Sequence, residues 1–99
     1  MLRIVLALLA CVALQAHAQD RAQQLASACA ICHGTDGRAA TPNVVPLTGL
    51  PREHIASQMR AFRDGSRPAT VMHQIAKGYT DEQIDALAAY FSALKKVTP

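Results

Sequence analysis

A chain of 99 residues is long enough for one small domain, and a formal net charge of +3 is too weak to imply binding to nucleic acid or an anionic membrane. With two Tyr, two Phe and no Trp, its own aromatic side chains make only a thin core, which a large apolar cofactor would complete.

Met1 to Ala18 reads as a secretory signal peptide. Arg3 gives a positive start, Ile4 to Leu14 is apolar throughout, and Ala16-His17-Ala18 fits the small-x-small cleavage pattern. The apolar run is short for a bilayer span. The expectation is a leader over 1–18 and a single mature domain over 19–99, exported to the periplasm. There are two alternatives. A retained anchor is opposed by polar Gln15 and His17, which end the run early. A lipoprotein is suggested by Leu8-Leu9-Ala10-Cys11, which loosely resembles a lipid-attachment box. Either would tie the chain to a membrane. Cleavage removes Arg3 and Cys11, leaving Cys29 and Cys32 as the only thiols.

Asp20 to Cys32 is expected to be a helix, capped by Asp20 and carried by the helix formers from Arg21 to Ala26. Leu25, Cys29 and Cys32 fall three to four apart, on one face. The helix runs into Cys29-Ala30-Ile31-Cys32-His33, and C-x-x-C-H is the attachment pattern of a c-type haem. The two thiols add across the haem vinyl groups, and the next histidine falls beneath the iron. C-x-x-C alone also suits zinc or thioredoxin-like sites, but there is no second C-x-x-C and no βαβ pattern here. Gly34 and Gly37 turn the chain, and Arg38 to Leu50 has no helical or strand period.

Pro51 to Asp64 is expected to be a second helix, with Pro51 in its first turn, Gly65 as its stop, and Ile55, Met59 and Phe62 as an apolar stripe. Ser66 to Gly78 is a loop with one or two helical turns, holding Met72. Thr80-Asp81-Glu82-Gln83 is a capping box that opens the last helix, whose buried face is Ile84, Leu87, Ala88, Phe91 and Leu94, with Lys95 and Lys96 at its C-terminal end. No internal repeat or second domain is visible.

His33 supplies one axial position of the iron. Candidates for the other are Met59, Met72, His54 and His73. Met59 lies on an apolar helical stripe, where methionine is ordinarily core, and His54 falls on the outer face. A loop delivers a thioether across a haem face with fewer constraints than a helix stripe, which favours Met72, with His73 as runner-up.

The stretches Cys29 to Gly37, Pro42-Asn43 through Leu47-Thr48-Gly49, Phe62 to Arg67, Met72 to Ala76 and Leu87 to Phe91 together resemble a class I c-type cytochrome over essentially the whole mature chain. They are similar to single domains of the cytochrome c4 group and to the haem subunit of flavocytochrome c sulfide dehydrogenases. The run Met72 to Tyr79 is nearer the latter. The resemblance implies a small all-α class I cytochrome c fold, three main helices plus loops around one covalent haem c. It implies Met72 as sixth ligand, and a Pro42 carbonyl that accepts the Nδ1 hydrogen of His33. Thr41 departs from the family, which often has Gly there, and several relatives carry two haems where this chain has one C-x-x-C-H.

The implied function is one-electron transfer in the periplasm through a His/Met-ligated haem of high potential, with electrons passing by the haem edge beside Cys29 and Cys32. With both axial sites filled the chain alone is not expected to be an enzyme. Its partner is expected to be an FAD-containing flavoprotein subunit that oxidises sulfide. The alternative is a free carrier between a quinol-oxidising complex and a terminal oxidase or reductase. A haem-based gas sensor is the third reading, disfavoured because no output domain fits in the chain.

Overall fold

The computed structural model describes residues 1–39 and 41–95. Among them are five α-helices and one 3-10 turn in the order α1 (Leu2–Ser27), α2 (Ala30–His33), the 3-10 turn (Thr35–Gly37), α3 (Arg52–Asp64), α4 (Met72–Ala76) and α5 (Asp81–Ala93), with no strand. The fold is all-α, as expected. Lys96 lies outside the described residues.

The first helix does not start at Asp20. It runs unbroken from Leu2, and Asp20 sits in its interior. The reason is local: no Gly or Pro separates the apolar run from Arg21, and alanine, leucine and glutamine dominate the junction. All residues from Met1 to Arg21 are exposed, so none of the described residues buries this stretch. By length and composition α1 could cross a membrane, a test that a signal sequence near an N-terminus also passes.

Nor does the helix continue smoothly to Cys32. The Ser27 hydroxyl donates to the Gln24 carbonyl at 2.6 Å, competing with the main-chain ladder. The Cys29 N–H then bonds three residues back, to Ala26, and α2 resumes at Ala30. Cys29 is thereby turned toward the core while Cys32 is exposed.

Pro51 flanks α3 instead of occupying its first turn. Its ψ of 135° is extended, and its carbonyl accepts the Ile55 N–H at 3.1 Å. Gly65 ends α3 as expected, in the left-handed conformation at φ 84°. The capping box of α5 is complete: the Gln83 N–H donates to the Thr80 hydroxyl, and the Thr80 N–H to the Gln83 side chain.

The core forms where α5 crosses α1 and α3. Ile84, Leu87, Ala88 and Phe91 of α5 meet Ile55 and Ala56 of α3 and Ala26 of α1. Leu94 is only partly buried against that cluster. Arg63 donates to Asp81 Oδ1 at 2.5 Å and to the Tyr79 carbonyl, and Arg60 to Asp85 at 2.7 Å, tying the solvent side of α3 to α5. The smaller α4 packs on α3 and buries Ala76 completely.

Candidate functional site

His33 ends α2, and the chain reverses immediately after it. Gly34 adopts φ 82°, open only to glycine at low cost. The His33 carbonyl then accepts the Ala39 N–H at 2.6 Å, closing the turn back on the histidine. The imidazole Nδ1 donates to the Val45 carbonyl at 2.7 Å. This leaves Nε2 as the nitrogen free to take a metal, and the carbonyl strengthens it as a donor.

The acceptor is a correction. Pro42 does not provide the carbonyl at Nδ1; Val45 does, and Pro42 is exposed. The cause lies downstream. The Leu47 and Thr48 N–H groups both reach the Gly37 carbonyl, at 2.7 and 3.3 Å, and the Gly49 N–H reaches the Phe91 carbonyl at 2.8 Å. That anchor brings Val45, not Pro42, alongside His33. Proximity of Val45 to the Leu47-Thr48-Gly49 stretch was the available signal.

Cys29 is half-buried against the core, and burial pushes its thiol above the usual range. Tyr79 packs on the same core; burial, and then the nearby Cys29 thiol, raise its hydroxyl. Neither Cys29 nor Cys32 is in a disulfide. Two free thiols and an imidazole with one nitrogen already held are a donor set that fits a covalently attached haem, which Cys29 and Cys32 would hold by thioethers and His33 by its free nitrogen.

Met72 is the first residue of α4 and is half-buried. Its neighbour His73 holds a buried Nδ1 with no hydrogen-bond partner among the described residues. Met59 packs against the core and His54 is exposed, as their positions on α3 suggested. Beyond residue 18, the exposed large apolar side chains among the described residues are Ile31, Val45, Val71 and Ile75. They lie on the three segments carrying Cys29 to His33, the carbonyl at Nδ1, and Met72.

Three residues that sequence reasoning did not single out support the turn. Thr48 is buried and donates to the Asp36 carbonyl at 2.7 Å, and the Tyr90 hydroxyl donates to Asp36 Oδ1 at 3.0 Å. Burial first, then the Asp36 carboxylate, raises the Tyr90 hydroxyl. Their only sequence signal was position, since a Thr in a loop and a Tyr beside a buried Phe are unremarkable alone.

A family profile described as "Cytochrome C oxidase, cbb3-type, subunit III" matches residues 16–91. The chain is 43% identical over 79 residues to the cytochrome subunit of sulfide dehydrogenase of Chlorobaculum tepidum, covering 79% of this chain and 70% of that protein. It is 42% identical over 71 residues to the thiosulfate dehydrogenase electron acceptor of Thiomonas intermedia, covering 71% of this chain and 33% of that one. To cytochrome c4 of Pseudomonas aeruginosa it is 33% identical over 73 residues, covering 74% of this chain and 36% of that one.

Proposed function

Because this chain belongs to the cytochrome c family, whose members bind haem c covalently and transfer electrons, we propose that it is the haem subunit of a sulfide-oxidising complex in the periplasm, paired with an FAD-containing flavoprotein. The observation that carries the electron-transfer reading is the His33 imidazole, whose Nδ1 donates to the Val45 carbonyl and whose Nε2 is left for iron. The bound haem supplies a one-electron iron couple.

The chain's own residues do the rest. Cys29 and Cys32 would hold the group by two thioethers, one on the core side and one at the surface. The turn through Gly34 and Ala39 holds the His33 backbone. Met72, at the start of α4, would hold the iron through its thioether, which would favour the ferrous state and a high potential. Ile31, Val45, Val71 and Ile75 are apolar side chains that a bound haem and a docked partner would cover. Met1 to Ala18 serves as an export leader removed after translocation.

The subunit reading draws on the sulfide dehydrogenase cytochrome of Chlorobaculum tepidum, of which the chain spans 70%. Similarity to a thiosulfate dehydrogenase electron acceptor favours the second reading, a free carrier. Recovery of the tagged chain from periplasm separates them. The subunit reading expects a stable complex with FAD absorbance, in which added sulfide reduces the haem. A lone monomer that sulfide leaves oxidised, and that a quinol-oxidising complex reduces, establishes the carrier. A haem stain lost on denaturing electrophoresis would sink both.

A further inference from the structure

The turn after His33 is clamped by groups that never reach a haem ligand themselves. Asp36 sits at φ 54°, a left-handed conformation costly for a residue with a side chain, so the surrounding contacts must hold it. Tyr90, near the end of α5, donates to its carboxylate at 3.0 Å. Thr48 donates to its main-chain carbonyl at 2.7 Å. Thr48 is 7% exposed, the sole buried polar residue among the described residues. A buried hydroxyl without an acceptor is costly, so this bond locks the loop to Asp36. The Leu47 and Thr48 N–H groups on the Gly37 carbonyl complete the lock. The Val45 carbonyl that His33 Nδ1 reaches belongs to the segment so fixed.

We propose that Tyr90, Asp36 and Thr48 are positioning residues that set the donor strength of His33 by fixing the Val45 carbonyl against its Nδ1. The proposal rests on His33 being an iron ligand. An imidazole that donates firmly through Nδ1 carries more electron density at Nε2 and favours the ferric state. Slackening the loop weakens that bond, so the reduction potential rises. The two outer contacts differ in weight. A cavity of about 160 Å³ borders Asp36 and Tyr90, so water can replace a lost Tyr90 hydroxyl. Thr48 is buried and does not line that cavity.

The test uses haem-loaded protein with Thr48→Val, which keeps the shape and loses the donor, Thr48→Ser, which keeps the hydroxyl, and Tyr90→Phe. The readouts are the reduction potential and, by NMR, the exchange rate of the His33 Nδ1 proton. Thr48→Val is expected to raise the potential and to speed exchange about tenfold, the factor that ~1.4 kcal/mol of weakened hydrogen bonding gives. Thr48→Ser should keep both values, and Tyr90→Phe should move both in the same direction by less. A Thr48→Val protein that is less stable but has unchanged potential and exchange overturns the proposal, because the hydroxyl then only packs. If Thr48→Val does not fold, Tyr90→Phe decides alone, and unchanged values there overturn it. A parent protein whose haem lacks a histidine ligand instead brings down the functional reading beneath it.

Discussion

Met72 and Met59 show how much a methionine's meaning depends on its setting. Met59 lies on α3 against the core, where an unbranched thioether fills space. Met72 heads a helix of one turn and is half-buried beside a histidine whose Nδ1 has no hydrogen-bond partner among the described residues. If Met72 is the sixth ligand, Met72→Ala removes the weak near-infrared band of ferric sulfur ligation, opens the iron to cyanide and lowers the reduction potential, because the ferrous state loses more than the ferric. Met59→Leu keeps the volume, so it should cost under about 1.5 kcal/mol and leave the spectrum unchanged. Absorption spectra of the two variants check this; a band lost in Met59→Leu and kept in Met72→Ala would reverse the assignment.

Two glycines that both adopt positive φ separate backbone strain from crowding at the scale of the elements. Gly65 ends α3 at φ 84° with nothing within 4 Å of where a Cβ would stand. Gly37 ends the 3-10 turn at φ 73°, and a Cβ there would lie 2.8 Å from Leu47 Cβ and 3.0 Å from the buried Phe91 ring. Gly65→Ala should therefore cost about 1 kcal/mol, the backbone penalty alone. Gly37→Ala should cost at least about 2 kcal/mol, since overpacking adds to strain and the displaced Leu47 belongs to the loop that carries Val45. Denaturant midpoints of the two variants measure the difference, and equal losses would show that Phe91 and Leu47 give way freely.

At the scale of the whole molecule, α3 and α5 are joined inside by apolar contacts and outside by charge. Hydrogen bonding to Arg63, and then the charges of Arg63 and Arg60, hold the Asp81 carboxyl below its usual range. A lowered carboxyl contributes its stability above the unfolded value, about 3.9, and loses it as pH falls through the folded one. The advantage of the parent over Asp81→Asn should therefore be full near neutrality and shrink as acid is added from about pH 4 downward. Both partners are substantially exposed, so the effect is modest and weakens with salt. Unfolding curves across that range test it; a gap that widens in acid would contradict the sign. The proposed leader belongs to the same scale, because none of the described residues buries it. Mass spectrometry of periplasmic protein should find Gln19 at the N-terminus, and a lipidated Cys11 would establish the lipoprotein instead.

Features that depend on neighbours in sequence could be read without coordinates. The capping box at Thr80 and Gln83, the glycine stop at 65 and the apolar spacing of α5 are set by bonds within one helical turn, so the residue pattern suffices. C-x-x-C-H is of the same kind, since thiol spacing and the following imidazole are local. The start of α1 is local too: Asp20 is able to cap a helix, but an uninterrupted run of helix formers upstream leaves it inside α1. The tertiary structure alone decided which carbonyl meets His33. Pro42 and Val45 are both close in sequence to that histidine, and the choice between them was made by main-chain bonds from Leu47, Thr48 and Gly49 to Gly37 and Phe91. It also decided that Thr48 is buried and that Tyr90 reaches Asp36 across 54 positions of chain. The bonds from Gly49 to Phe91 and from Tyr90 to Asp36 join the loop after His33 to α5, far along the chain, and no periodicity along the chain encodes them.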